Sequence, residues 1–189
     1  MTEQQRYQVL QRDGSVELRR YESCTVADVQ VEGPQEKAGN VAFRPLISYI
    51  SGSNVAGKKL SMTAPVLQEQ AGERLSMTAP VIQEPSGDGA WTVSFVLPGS
   101  RPLSEYPTPT DPRVTLRHLP AHTAAALQWS GRWTEGNVAK RTRELDRAIA
   151  AAGWIPQGPA RWARFDPPWK PAFARRNEIV VPVSDRGQE

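Results

Sequence analysis

The sequence predicts an antiparallel α+β domain: two similar halves meet edge to edge in a curved or barrel-like sheet, and each half contributes one helix. Three observations lead there. The order strands, helix, strands is read twice along the 189 residues. Two stretches, residues 35–51 and the segment after Thr134, carry apolar residues at helical spacing. The 17 prolines, bunched after position 97, favour turns and ordered loops over long helices.

The chain opens as a meander. Residues 7–10 and 16–21 flank Asp13-Gly14, a strong hairpin signal, and residues 25–31 alternate as a third strand. Gly33-Pro34 stops the sheet. Phe43, Leu46, Ile47 and Ile50 then stand at i, i+3, i+4 and i+7, one face of a first helix. Pro45 deprives the Val41 carbonyl of its partner and is expected to kink or delay that helix. Ser51-Gly52-Ser53-Asn54 ends it, with Gly52 as the capping glycine.

Residues 59–69 and 74–84 repeat one phrase, Leu-Ser-Met-Thr-Ala-Pro-Val, twice. Two short copies are too few for a solenoid, and a hairpin of like strands with residues 70–73 as its loop fits better. In that register Met62 lies opposite Val81 and Met77 opposite Val66, on one apolar face. Adaptable packing is the expected role of both methionines. Pro65 and Pro80 each lack a ladder donor and belong at bulges or strand ends.

Residues 91–97 read as a half-buried strand, with Trp91, Val93, Phe95 and Leu97 on one side. A stiff, extended connection over 98–112 then joins the halves. Strands at 113–119 and 122–129 follow. Thr134 caps a second helix, marked by Val138, Leu145, Ile149 and Ala152 and ended by Gly153. A short strand at 161–165, a turn at 166–169 and a last strand at 177–183 complete the order.

The totals are those of one domain, 1–189, with its core at about 7–183. A single cysteine, Cys24, excludes an internal disulfide and a cysteine-rich metal site. The first residues lack the apolar run of a signal peptide, and no later run reaches membrane-spanning length, so a soluble, cytoplasmic protein is expected. The net charge of +3 is spread among nearly as many acids, which argues against nucleic acid as a partner.

Catalytic signatures are missing. The sequence contains no phosphate loop, no dinucleotide glycine fingerprint and no HExxH helix. His118 and His122 lie on successive strands, too sparse for a protein-only zinc site, yet imidazole is a common haem-iron ligand. Residues 166–170, Asp-Pro-Pro-Trp-Lys, read either as a rigid turn or as a binding element. In the second reading Phe165 and Trp169 form a flat apolar wall, and Lys170 with an arginine such as Arg175 meets the carboxylates of a planar ligand. Arg175-Arg176-Asn177-Glu178 reads otherwise as a charged strand edge with Arg and Glu paired.

The segment 43–52, the doubled Met-Thr-Ala-Pro-Val, Pro109-Thr110-Asp111-Pro112-Arg113-Val114, and Phe165-Asp166-Pro167-Pro168-Trp169 through Glu178 together resemble the SOUL haem-binding protein family, in order from about Tyr7 to Val183. The resemblance implies two pseudo-symmetric halves forming a distorted antiparallel β-barrel with two helices. It also implies non-covalent binding of haem or a related tetrapyrrole, for buffering, transport or delivery. Carried over to this chain, the haem groove falls on Phe43, Leu46 and Ile47 of the first helix with Phe165 and Lys170. Asn40 stands where some animal members carry a basic residue, and no histidine precedes His118. Met62, Met77, His118 and His122 remain the side chains able to ligate iron. The expected partner is the porphyrin itself, with no nucleic acid and no membrane, on a monomer or weak homodimer. Two other readings stay open: an enzyme of tetrapyrrole metabolism, and an effector-type small-molecule binding module.

Overall fold

The computed structural model describes residues 3–55, 72–87, 89–99, 101–166 and 169–184. In chain order the elements are β1 (Glu3–Gln4), β2 (Tyr7–Asp13), β3 (Val16–Tyr21), β4 (Cys24–Glu32), α1 (Gln35–Ile50), β5 (Asn54–Val55), β6 (Thr78–Ala79), β7 (Val81–Pro85) and β8 (Ala90–Val96). The second half continues with β9 (Thr108–Pro109), β10 (Val114–Leu119), β11 (His122–Ser130), α2 (Glu135–Ala152), β12 (Ile155–Pro156), β13 (Arg161–Arg164) and β14 (Arg176–Ser184). No helix among the described residues is long and apolar enough to cross a membrane.

One antiparallel sheet runs β10-β4-β8-β7-β13-β14-β11-β3-β2, with β12 on the end of β14. Its two halves follow one plan. A strand (β4 or β11) leads into a helix, and the chain returns to pair a later strand with that leading strand (β8 or β14). The remaining strands, β7 and β13, meet at the centre. Each half then receives a further strand from elsewhere in the chain: β10 joins β4, and β3, itself followed by β2 at the edge, joins β11.

Two short links force this sheet to curl. Only Glu22 and Ser23 separate β3 from β4, and only Pro120 and Ala121 separate β10 from β11, yet each pair stands six positions apart in the strand order. Laid flat, six spacings of about 4.8 Å would part them by roughly 29 Å. A two-residue link reaches about 11 Å. The sheet therefore rolls into a half-barrel whose edges are tied together.

Both helices cover the same, outer face. α1 buries Ala38, Ala42, Leu46, Tyr49 and Ile50 against Ala27, Val29, Val93 and Phe95. α2 buries Val138, Leu145 and Ile149 against Ala125, Leu127, Ile179 and Val181. The inner face carries two smaller clusters, one around Tyr21, Ala124, Ala126 and Val180, the other around Val26, Ile82 and Val96.

Local signals explain the helix ends. Thr134 Oγ1 accepts from the Asn137 N–H, satisfying one open donor of the first turn of α2, and Gly153 takes the left-handed conformation (φ 74°) that ends it. α1 is continuous through Pro45, against the expected kink or delay, and Pro45 itself is buried. Gly52, at φ 111°, follows the helix as expected.

Four expectations change. Residues 59–69, the first copy of the repeat, with Met62, Pro65 and Val66, lie outside the described residues. The hairpin register is nevertheless overturned, because Val81 pairs with Phe95 of β8 on one side and Arg164 of β13 on the other, leaving no free edge for a partner at Met62. Pro80 separates β6 from β7, at a strand end as predicted. β8 is buried on both faces, since α1 covers one and the barrel interior the other: Thr92, Ser94 and Val96 are as enclosed as Val93 and Phe95. The 98–112 connection is folded rather than extended. It contains a 3-10 turn at Leu103–Glu105 and β9, which pairs with β5, while buried Tyr106 donates from its hydroxyl to the Pro98 carbonyl (3.1 Å). Lastly, Asn177 and Glu178 lie in the interior of the sheet, because β14 is flanked by β13 and β11.

Candidate functional site in the barrel interior

The curl brings both sheet edges to one concave pocket, a space of about 480 Å³ that includes open solvent at its mouth. Tyr7 and Tyr21 from the N-terminal hairpin, Phe165 after β13, and Ile82, Leu119 and Val180 form its largely apolar wall. Tyr7 and Tyr21 have ring centroids 5.3 Å apart, and Tyr21 stacks on the His122 ring at the same separation. Because residues from β2, β7, β10, β11, β13 and β14 converge here, this face is the inner one.

The polar groups of the inner face form two connected sets. In the first, Arg19 donates to Glu178 and to the Tyr21 hydroxyl, and Arg176 donates to Glu178 from the other side at 2.6 Å. Burial works against the Arg19 charge, but Tyr21 and Glu178 hold its guanidinium above the usual value. Burial also pushes the Tyr21 phenol up. Arg176 lies 4.0 Å over the Phe165 ring and Arg19 4.2 Å over Tyr7, so cations back the aromatic walls.

In the second set, Asp28 accepts from Arg117 (2.6 Å), Arg117 reaches Glu84 (2.9 Å), and Glu84 pairs with Arg161 (2.8 Å). Arg161 Nη1 then approaches His122 Nε2 at 3.4 Å. This chain crosses from β10 and β4 to β11 and ties the curled sheet together from inside.

The state of His122 follows from its partners. Nδ1 lies 2.9 Å from the Pro120 carbonyl, which can only accept, so Nδ1 carries the proton and Nε2 presents its lone pair towards the cavity side where Arg161 sits. Burial, together with the Arg161 charge and partly offset by the bond to Pro120, lowers the imidazole below its usual value. A neutral ring held by Nδ1–H to a carbonyl is the form that ligates metals through Nε2.

Of the other described site residues predicted from sequence, Phe165 alone lines this pocket. Asn40 is exposed on α1, and Phe43 is half exposed, its ring edge-on to Phe95 at 5.9 Å. Leu46 is wholly buried beneath α1 and Ile47 packs at the margin of the same cluster, so both belong to the outer core. Met62 lies outside the described residues, and Met77 is exposed. Phe165 lines the pocket. Trp169 is 83% exposed. Lys170 is held by Asp166 (2.6 Å), and Arg175 donates to the Lys170 carbonyl (2.7 Å), which stiffens the loop between β13 and β14. His118 points to solvent on β10, whereas His122 lines the pocket. Phe43, Leu46 and Phe165, expected to share one groove, thus lie on opposite faces of the sheet.

Sequence reasoning missed Tyr7, Tyr21, Arg19, Arg161 and Glu178 as site residues. A signal existed in the alternation of Arg19 and Tyr21 along β3 and in the lone acid before the apolar run 179–181. Cys24, near this face, is pushed up to about 11 by burial, which keeps it a thiol. No cluster of three or more His, Cys, Asp or Glu able to hold a metal ion occurs among the described residues. Haem, which needs one axial side chain and an apolar wall, fits what is present better than a free ion does.

Comparison with known proteins agrees with this architecture. The C-terminal domain of EcmrR superposes with a TM-score of 0.60 at 15% identity, covering 95% of this chain and 98% of that one. A hydrolase from Listeria innocua gives 0.60 at 14% identity, covering 93% and 94%. Among curated proteins, Heme-binding protein 1 of Sus scrofa is 26% identical over 169 residues, 89% of this chain and 84% of its own length. The family described as SOUL heme-binding protein matches residues 2–182. With nearly its whole length matched, and with two helices on a curled antiparallel sheet as that resemblance implied, this chain belongs to the SOUL heme-binding protein family.

Proposed function

We propose that this chain binds haem or a related tetrapyrrole non-covalently in the concave pocket, for buffering, transport or delivery. The observation that carries the proposal is His122: a neutral imidazole in the wall of an aromatic pocket, its Nδ1–H fixed by the Pro120 carbonyl. Family membership and the named pig relative support the ligand class. Tyr7, Tyr21 and Phe165 would cover the ring, and His122 would offer Nε2 to the iron once Arg161 turns aside. Bound haem would supply an iron centre whose open positions the pocket walls control.

Charge separates this reading from an effector module for aromatic cations. Glu178, the acid in the pocket wall, already accepts from Arg19 and Arg176, and Arg161 in the same wall is shared with Glu84. The arrangement therefore offers an aromatic cation no unpaired carboxylate among the described pocket residues.

Titration of ferric haem and of metal-free protoporphyrin, followed in the Soret band, tests the proposal. The wild type is expected to show saturable one-to-one binding of haem, weakened about tenfold or more in His122→Ala and unchanged in Phe43→Asp. Absence of saturable binding of either pigment sinks the haem reading. Loss in Phe43→Asp alone moves the ligand to the outer face of α1. Equal binding of both pigments, indifferent to His122, rejects iron ligation.

A further inference from the structure

On the helix-covered face, where β7 meets β13, lies a cluster that the pocket does not use. Gln83 is wholly buried, and among the described residues neither its Nε2 nor its Oε1 has a hydrogen-bond partner. Trp162 stands directly opposite it in the β7–β13 pairing, with its indole Nε1 buried and also unpartnered. Two residues further along β13, on the same face, the Arg164 guanidinium lies 4.9 Å over the Trp133 ring. It makes no ion pair with any described residue. Above them α1 presents Gly39. The point that a Cβ on Gly39 would occupy lies 2.6 Å from Gln83 Nε2 and 3.6 Å from Arg164 Nη1, so the amide and the guanidinium both lie against the bare backbone of Gly39. Gln35, one turn earlier on α1, has a buried, unpartnered Nε2 as well.

Such a set is unusual in a folded protein. Buried polar atoms nearly always find partners, and each one left without keeps its full desolvation penalty. Burial lowers the Arg164 guanidinium from its usual value, Arg175 adds like-charge repulsion, and no described carboxylate opposes either effect. The inventory is lopsided: a guanidinium, two amide NH₂ groups and an indole N–H donate, while Gln83 Oε1 accepts. The complement is an acceptor-rich group of negative charge with at most one donor of its own.

We propose that the seam between α1 and the β7–β13 pair is a binding site for a single oxyanion, a carboxylate or phosphate group. Arg164 supplies the charge, and Gln83, Trp162 and Gln35 supply the remaining hydrogen bonds. Gly39 lets α1 approach this closely, since any side chain there would displace the Gln83 amide. The site lies on the opposite face of the sheet from the concave pocket and does not depend on haem binding.

The indoles of Trp91 and Trp162, with ring centroids 5.6 Å apart, provide a reporter. Tryptophan emission and the melting temperature are followed while inorganic phosphate or acetate is added at constant ionic strength. A saturable change in emission with a rise in Tm is expected for at least one anion. The stronger of the two identifies the source, and phosphate in its hydrogen form can also satisfy Gln83 Oε1. The response should vanish in Arg164→Met and Gly39→Ala, persist in part in Arg164→Lys, and match the wild type in His122→Ala. Gln83→Leu removes both unpartnered atoms and should raise Tm without anion while abolishing the anion-induced rise. Absence of a saturable response, the same response in Arg164→Met, or a lower anion-free Tm in Gln83→Leu overturns the proposal.

Discussion

Arg19 on β3 reaches across β11 to Glu178 on β14, donating from Nη1 to Oε2 at 2.9 Å and from Nη2 to Oε1 at 3.3 Å, with both side chains at most 3% exposed. The small Ala124 and Ala126 of β11 leave room for this crossing. Removing Arg19 takes from buried Glu178 one of its two guanidinium partners and leaves it Arg176. Arg19→Met is expected to lower stability by about 1–3 kcal/mol in urea unfolding. The double variant Arg19→Met/Glu178→Leu should recover part of the loss, because two apolar groups need no partner while Arg176 gives up its bond to Glu178. A double variant as unstable as the single one would show that the pair contributes through shape rather than charge.

A pH dependence follows from His122. Its folded-state value is lowered by burial, so the unfolded chain binds the proton more readily. The associated stability is fully present above the ordinary imidazole value of about 6.5 and is lost as pH falls through the folded-state value. Unfolding free energies measured between about pH 5 and pH 8 should therefore decline on the acid side in the wild type and decline less in His122→Asn. Parallel profiles for the two proteins would place the titration elsewhere.

The two faces of α1 should respond unequally. Leu46 is fully enclosed, and Leu46→Ala is expected to cost about 2–5 kcal/mol through lost burial and the cavity left behind. Phe43 is 45% exposed and keeps one edge-on contact with Phe95, so Phe43→Ala should cost about 1–2 kcal/mol. Equal losses in chemical denaturation would mean that Phe43 is a core residue of α1.

Cys24 should be chemically quiet. With its thiol pushed up to about 11, little thiolate exists near neutral pH. Alkylation by iodoacetamide at about pH 8 is expected to be slower in the native protein than in urea by about tenfold or more. Comparable rates would contradict the burial of this thiol.

Much of the local structure was legible from local chemistry. Asp13-Gly14 marks its hairpin, Thr134 and Gly153 mark the ends of α2, and strand alternation locates β4, β10 and β11 within a residue or two. Pairing was less accessible. Two copies of one phrase suggested a hairpin, but the edges of β7 are taken by β8 and β13, partners whose claim rests on tertiary packing that no local pattern encodes. The site shows the same divide. His122 could be picked out as a ligand type, while its tautomer depends on Pro120 and its setting on Tyr21, its partner on the neighbouring strand β3 but far away in the chain. Glu178 reads as one end of a charged stretch and becomes an interior group only because Arg19, 159 residues away, meets it.

The short ties between β3 and β4 and between β10 and β11 also dictate an order of assembly. The β2–β3 hairpin leaves the ribosome before the other strands of this sheet, yet its neighbour β11 is made roughly a hundred residues later, and β14 later still. Until then the aromatic side of that hairpin has nothing to lean on. The domain cannot close by halves, so its folding is governed by distant pairings and is slow for its length, and a nascent chain halted before β14 would display Tyr7 and Tyr21 to whatever chaperone reaches it first.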